Sequence, residues 1–260
     1  MAPTALFEVL TDAEQAEPRC TLEEEYGAAL LLATDRVAVN FVSTIDGIVS
    51  YGLGSADSSA VGGGLAADRL LMAMLRAVAA VIVVGAGTVR VAGTHQWTPA
   101  TLAPDRAGDL AALRAAAGLP ASPAPLLAVS TSPDFNPAVD AARRPQTPFH
   151  VLAPPPPQRR LAAATIVSAA RDLGGDGPIL CEGGPHLFGT LVAEPTPLDL
   201  FLTVAPQLAG RSNKRPSQRR GLVEGVALPP WARGGRLRSV RRAGQHLLLR
   251  YAVDAGQSQP

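Results

Sequence analysis

Short apolar runs recur along the chain, and most are bounded by glycine, proline or small polar residues. Runs of this length that are rich in valine, isoleucine and leucine are typical of strands buried on both faces of a sheet. Between several of them lie longer segments with apolar residues at helical spacing, the clearest being Leu65–Ala80. The predicted strands are Val37–Val42, Val81–Val84, Leu126–Val129, Phe149–Leu152, Thr165–Val167, Ile179–Cys181 and Leu200–Ala205, and the other predicted helices are Ala107–Ala117 and Pro185–Val192.

The order of these elements predicts an α/β fold. Helices that fall between strands favour a mostly parallel central sheet flanked by helices on both faces. Leu237–Arg241 and His246–Val253 predict a C-terminal antiparallel hairpin. We see no repeat or clear linker, and we therefore expect an acidic N-terminal extension (1–34), one domain (35–254) and a frayed tail (255–260).

A glycine-rich turn joins the strand Ile179–Cys181 to the helix that follows it. Gly183 and Gly184 form the turn, and Pro185 suits the first helical position because its missing N–H would be unpaired there. Free amides at a helix start carry the positive end of the helix dipole and suit a phosphate. Glu182 ends the strand, where open α/β sheets hold their ligands. The alternative is an ordinary tight turn with an exposed glutamate.

A second glycine-rich turn, Gly85-Ala-Gly87-Thr88, follows the strand Val81–Val84. A dinucleotide-binding fingerprint would need glycine or alanine where Arg90 stands, and a strand that delivers an acidic residue about 20 residues further on. Neither is present. The prediction is limited to a turn at a strand end, with Thr88 able to donate a hydrogen bond to a phosphate.

Several polar residues stand where apolar ones would be expected, or beside the turns. Asn40 lies inside a predicted strand and either pairs with backbone or faces a ligand. Asp68 lies in the first turn of the best predicted helix, where a carboxylate suits the dipole, and Arg76 would ordinarily be a surface charge. Residues 52–64 are rich in glycine and serine and predict a flexible loop, which in an enzyme is a candidate lid.

Composition limits the classes of function that the sequence supports. The 260 residues are 47% hydrophobic and 17% charged with a net charge of +1, which gives no argument for nucleic acid or an anionic membrane as partner. Cys20 and Cys181 match no metal or disulfide spacing, which predicts no metal site and a reducing, cytoplasmic setting. No apolar run is long enough for a membrane span, and the N-terminus does not read as a signal peptide.

The motifs taken in order resemble the reductase domain of bacterial riboflavin biosynthesis, within the dihydrofolate reductase-like superfamily. The zinc deaminase signature that often accompanies this domain is absent from the sequence, so the stand-alone pyrimidine reductases are the most similar. The matching segments are Asn40-Phe-Val-Ser-Thr-Ile-Asp-Gly47, Leu75-Arg76, Val83-Val-Gly-Ala-Gly-Thr-Val-Arg90, Glu182-Gly-Gly-Pro185, and Val204-Ala-Pro206 with Gly210.

The resemblance implies NADPH as the cofactor, a homodimer, and a dihydrofolate reductase-like fold. It implies reduction of a ribosylamino-pyrimidine 5′-phosphate to its ribitylamino form, through an imine that receives hydride on the first sugar carbon. The residues it implies, or that the arguments above select, fall into three groups. They are Asp68 and Glu182 as catalytic acids; Asn40, Arg76 and Glu182 as substrate contacts; and Ser43, Thr44, Gly85, Gly87, Thr88, Ser130, Thr131, Gly183, Gly184, Pro185, His186 and Leu187 as cofactor contacts, with Ser130–Ser132 at the 2′-phosphate.

The chain departs from the family pattern at two positions. Ala92 stands where many members have aspartate, and Pro99 stands near the place of an arginine that binds substrate phosphate. Arg106 is a candidate replacement. Two alternatives therefore remain: a reductase of dihydrofolate or another pterin, and a non-catalytic dinucleotide-binding protein.

Overall fold

We analysed a computed structural model of the chain, which describes residues 6–13, 16–130, 143–155, 158, 160–211, 218–230 and 233–255. The strands are β1 Glu8–Asp12, β2 Val37–Thr44, β3 Ile48–Ser50, β4 Val81–Gly85, β5 Leu126–Val129, β6 Phe149–Leu152, β7 Ile179–Cys181, β8 Leu198–Ala205, β9 Arg220–Gly221, β10 Gly235–Ala243 and β11 His246–Val253. The α-helices are α1 Thr21–Tyr26, α2 Asp57–Gly62, α3 Ala66–Ala77, α4 Ala86–Val91, α5 Pro99–Leu102, α6 Ala107–Ala116, α7 Ala163–Gly174 and α8 Pro185–Ala193, with 3₁₀ turns at Gly54–Ala56 and Pro104–Arg106.

Among the residues that the structure describes, nine strands form the main sheet, in the order β1-β10-β11-β8-β2-β7-β4-β5-β6, while β3 and β9 pair separately. From β8 to β6 every neighbouring pair is parallel, and β11, β10 and β1 continue the sheet in antiparallel fashion. The predicted α/β class with its C-terminal hairpin is therefore confirmed.

The core lies on both faces of the sheet, because successive side chains of each strand point to opposite sides. On β2, Ala38 packs into the cluster that contains α3 and α6, whereas Val37 and Val39 pack into the cluster that contains α7 and α8. The same alternation places the polar residues of β2 on opposite faces of the sheet. Asn40 shares the face of α3, and Ser43 shares the face of α8.

Two predictions of local structure were wrong. Thr165–Val167 is not a strand but lies inside α7, where Ala163, Ile166 and Ala170 are buried at helical spacing. A short apolar run does not distinguish the two by itself. The predicted loop 52–64 contains the helix α2, which ends where Gly63 adopts a left-handed conformation with φ of 62°.

The N-terminal residues that the structure describes are integrated into the domain rather than solvated. β1 pairs with β10, and Arg241 of β10 is buried against the ring of Tyr26, at 3.7 Å, while donating to Asp12. Glu23 is also buried and accepts hydrogen bonds from the Arg19 side chain and the Leu30 amide. Within the described part of the chain, no helix is long and apolar enough to cross a membrane.

Candidate active site

Many of the predicted site residues lie at the carboxyl edge of β2, β4 and β7. These three strands are adjacent and parallel, so their ends meet at one edge of the sheet. Helices α4 and α8 begin just after β4 and β7, and α3 lies across the neighbouring face. Ligands in open α/β sheets bind at such an edge.

The two glycine-rich turns lie against each other there. The Gly85 amide donates to the Gly183 carbonyl at 2.8 Å, and Gly183 and Gly184 are joined by a cis peptide bond. Gly183 has φ of 85°, and a Cβ on it would lie 3.2 Å from the Phe41 ring. A Cβ on Gly184 would lie 3.2 Å from the Thr88 hydroxyl. The two turns thus form a backbone cradle at the starts of α4 and α8, with no room for a side chain on Gly183 or Gly184.

The remaining predicted cofactor contacts are distributed around this cradle. Pro185 is the first residue of α8, Leu187 is buried beneath the turn, and His186 is exposed with its Nε2 2.9 Å from Arg220 Nη1. Gly87 is exposed in the first turn of α4. Ser130 is buried at the end of β5, and Thr131 with Ser132 lies outside the described residues.

At the end of β2, Ser43 and Thr44 differ. The Thr44 hydroxyl donates to Asp46 at 2.6 Å and accepts from the Ile48 amide, so it is engaged in closing the turn after the strand. Hydrogen bonds from Thr44 and from the amides of Ala209 and Gly210 lower the pKa of Asp46 to about 2. The Ser43 hydroxyl makes no hydrogen bond to a described residue, which leaves it available to a ligand.

Arg76 and Glu182 form a buried ion pair. Arg76 Nε donates to Glu182 Oε1 at 2.6 Å and Nη2 donates to Oε2 at 2.7 Å, and the two side chains are only 3% and 6% exposed. Both carboxylate oxygens are thus engaged by one planar guanidinium, which is a strong and directional contact. Arg76 is not the surface charge that its position in α3 suggested, and Glu182 is not the exposed residue of an ordinary turn.

His95 and Trp97 complete the surroundings of this pair. His95 Nε2 lies 3.1 Å from Arg76 Nη1, and its ring packs edge-on against Trp97 with centroids 5.1 Å apart. Burial lowers the pKa of His95, the neighbouring Arg76 lowers it further, and the value is about 4. Nothing in the sequence pattern indicated His95 or Trp97, because the loop that carries them shows no periodicity.

Asp68 occupies a different environment at the other end of α3. Its Oδ2 would lie 3.9 Å from a Cβ on Gly62, and burial raises the pKa of its carboxyl group. The buried hydroxyl of Thr203 in β8 favours the ionised form of the Asp68 carboxyl group. It does not, however, have the geometry of a hydrogen bond to any described residue. His246 of β11 contacts the Gly62 carbonyl through Nε2 at 3.0 Å and also favours ionisation. The polar Thr203 within an apolar strand was a signal in the sequence that the motif analysis missed.

Asn40 was predicted either to pair with backbone or to face a ligand. Its side chain is partly buried on the α3 face of β2 and makes no hydrogen bond to a described residue. No described backbone group pairs with its amide, and its contact with a ligand stays a prediction.

Arg106 is engaged elsewhere. Its guanidinium donates to Glu25 and to Asp109, both at 2.8 Å, on the outer side of α6. The structure therefore brings together the glycine turns with Thr88, and the Arg76–Glu182 pair with His95. It keeps Asp68 apart from that pair and does not bring Arg106 to the site.

Comparison with known proteins gives the following. The sequence profile of the RibD C-terminal domain family matches residues 35–248. A pyrimidine reductase-like protein from Corynebacterium diphtheriae superposes with a TM-score of 0.56 at 19% identity, covering 90% of this chain and 98% of that one. RibD of Acinetobacter baumannii superposes in one form with a TM-score of 0.58 at 13% identity, covering 85% of this chain and 58% of that one, and in a second form with 0.52 at 15% identity and the same coverage. No match was found among curated proteins.

Proposed function

The chain belongs to the RibD C-terminal domain family, and from that premise we propose that it is an NADPH-dependent reductase of riboflavin biosynthesis. Its substrate is a ribosylamino-pyrimidine 5′-phosphate and its product the ribitylamino form. The observation that carries the proposal is the contact between the two glycine turns, near the buried ion pair of Arg76 and Glu182. Family membership sets the reductase role, and the site supports the cofactor and substrate.

The residues present fit a dinucleotide. A Cβ on Gly184 would fill the cradle, and the amides that open α8 beyond Pro185 are free of helical partners. Gly85, Gly87, Thr88 and the segment 183–187 would hold the phosphates, with Ser130 and Thr131 near the 2′-phosphate and Ser43 and Thr44 near the nicotinamide. The bound cofactor supplies a hydride.

The substrate side is proposed to use Asn40, Asp68 and the Arg76–Glu182 pair. After the ribose ring opens, the substrate contains a carbon–nitrogen double bond. Hydride adds to its carbon and a proton to its nitrogen, so one proton must be delivered. Asp68 suits this task because its carboxyl group has a raised pKa. Glu182 suits it less, because a proton on either oxygen would displace a hydrogen bond from Arg76.

Two measurements test the cofactor site. We expect Gly184→Val to lose NADPH binding while remaining folded, because the added side chain would occupy the cradle and press on Thr88. Gly108→Ala, in α6 with open space around it, is the control that should bind normally.

NADPH should bind about ten- to a hundredfold more tightly than NADH, the worth of one charge-assisted hydrogen bond. Equal affinities would contradict the cofactor assignment.

A second candidate, reduction of dihydrofolate or another pterin, is favoured by one observation. Arg106 is bound to Glu25 and Asp109, and Pro99 stands near the position of the arginine that would bind substrate phosphate. Steady-state oxidation of NADPH with each substrate separates the two. The proposed function predicts the higher kcat/KM for the pyrimidine.

The family resemblance also supports a homodimer in the cytoplasm. Light scattering on the purified protein tests the first: the proposal predicts twice the chain mass. A monomeric mass under assay conditions would contradict it.

A further inference from the structure

His95 is the accessible member of the network around Arg76 and Glu182. The side chains of the ion pair are 3% and 6% exposed, whereas His95 is only partly buried. The ring is held on two sides, by Arg76 at Nε2 and by the edge-on contact with Trp97. The imidazole of His95 is therefore a candidate contact for a ligand that binds beside the ion pair.

The hydrogen bond to Arg76 fixes which nitrogen of His95 carries hydrogen. A guanidinium has only donors, so the nitrogen that faces it must accept. Nε2 is that acceptor, and the hydrogen of the neutral ring lies on Nδ1. An imidazolium would point an N–H at the guanidinium. The lowered pKa of His95, about 4, agrees with a ring that stays neutral at physiological pH.

The Nδ1–H group is left without a partner among the described residues. The only hydrogen-bond contact of the ring there involves Nε2. Arg76 meanwhile uses Nε and Nη2 on Glu182 and directs Nη1 at His95 and, more distantly, at the carbonyls of Gln96 and Thr98. The network thus offers one oriented and neutral donor to a ligand.

We propose that His95 binds the substrate by donating its Nδ1–H to a carbonyl oxygen of the substrate's heterocycle. A neutral acceptor is inferred because a phosphate would favour the imidazolium, which the contact with Arg76 opposes. This rests on the proposed function, and it applies to a pyrimidine and to a pterin, since both carry ring carbonyls. The proposed contact does not provide a positively charged side chain for the phosphate of the substrate.

Two substitutions of His95 test its two ring nitrogens separately. The His95→Asn variant places an amide where Nδ1 was and keeps a donor there. The His95→Gln variant places its amide where Nε2 was, keeps an acceptor for Arg76, and removes the Nδ1 donor. For His95→Gln we expect KM of the substrate to rise about three- to tenfold, as for loss of one neutral hydrogen bond, with kcat changed less. For His95→Asn we expect a KM within about twofold of the parent, by the same scale.

The measurement is steady-state NADPH oxidation by the parent and both variants, with the pyrimidine and with dihydrofolate. NADPH affinity and the unfolding midpoint are recorded for each protein. An unchanged KM in the His95→Gln variant, or the same rise in both variants, would overturn the role of His95 while leaving the proposed function intact. A parent that reduces neither substrate would overturn both.

Discussion

The two carboxylates of the candidate site lie at opposite ends of α3. Asp68 is in the first turn of this helix, and Arg76, which holds Glu182, is in its last turn. Eight residues of helix separate their backbones by about 12 Å. Both carboxylates are largely withdrawn from solvent. Glu182 has a guanidinium on both oxygens, whereas Asp68 has beside it a hydroxyl and the more distant charges of His246 and Arg69.

This difference shows that the partner of a buried carboxylate, more than its burial, decides what it can do. A buried carboxylate without a matching cation is costly in its charged form, and its proton is held more tightly. One that is bound on both oxygens instead fixes the position of its partner. We therefore propose that Asp68 delivers the proton and that Glu182 orders Arg76 and His95.

The largest effect is expected from Asp68→Asn. This substitution keeps the shape and removes the proton donor, and kcat/KM should fall about 10²- to 10⁴-fold. NADPH affinity should stay within a few-fold of the parent. Stability at neutral pH should be equal or higher, because the raised pKa means that ionised Asp68 opposes folding there. Cofactor titration, NADPH oxidation and chemical denaturation check the three statements, and full activity in this variant would remove Asp68 from the mechanism.

The reverse pattern is expected for Glu182→Gln. Removing one charge of a buried pair leaves Arg76 uncompensated, which costs roughly 3–5 kcal/mol of unfolding free energy. At an assay temperature well below its unfolding midpoint, the Glu182→Gln variant should lose less kcat/KM than the Asp68→Asn variant does. A normal unfolding midpoint with kcat/KM reduced as far as in Asp68→Asn would reverse the assignment of roles.

The chain offers a matched control for that experiment. Arg250 donates to both oxygens of Asp199, with side chains 10% and 4% exposed, in strands β11 and β8. Asp199→Asn should lower stability by a similar amount, because it also removes the counter-charge of a buried guanidinium. Its kcat/KM should match the parent. A comparable loss of activity there would mean that the Glu182 effect reports general loosening.

The pH dependence of kcat/KM sharpens the contrast further. A proton donor works while protonated, so activity should be present below the pKa of Asp68 and decline as pH rises through it. Because burial raises that pKa above 3.8, the decline should lie at higher pH than for an ordinary aspartate. Asp68→Asn should abolish this limb and Glu182→Gln should keep it. Profiles of the three proteins over about pH 4 to 9 test this.

The smallest effect concerns stability in acid. The pKa of His95 is about 4 in the folded chain and 6.5 ordinarily. Between these values the unfolded chain binds the proton more readily, so stability falls as pH decreases from about 6.5 to 4. His95→Gln should lack this contribution. Between about pH 7 and pH 5 the unfolding midpoint of the parent should therefore fall further than that of the His95→Gln variant. An equal fall in both proteins would contradict a neutral His95.

Local signals in the sequence predicted the sheet, the helix α3 and both glycine turns. Runs such as Val81–Val84, in which every residue is β-branched, favour a buried strand, and Gly183-Gly184-Pro185 combines turn and helix-start chemistry. The failures at the site depended on distant partners. Arg76 is buried because it pairs with Glu182, which follows β7 and lies 106 residues away in the sequence. His95 contacts Arg76 from a loop that shows no periodicity, so no pattern in the sequence could reveal it.

The most direct test of the central claim is isotope transfer. The protein is incubated with the ribosylamino-pyrimidine 5′-phosphate and NADPH deuterated at both hydrogens of its reducing carbon, and the product is examined by mass spectrometry and NMR. The account predicts a single deuterium on the first carbon of the ribityl chain. Recovery of unlabelled pyrimidine, while dihydrofolate under the same conditions takes up deuterium, would contradict it.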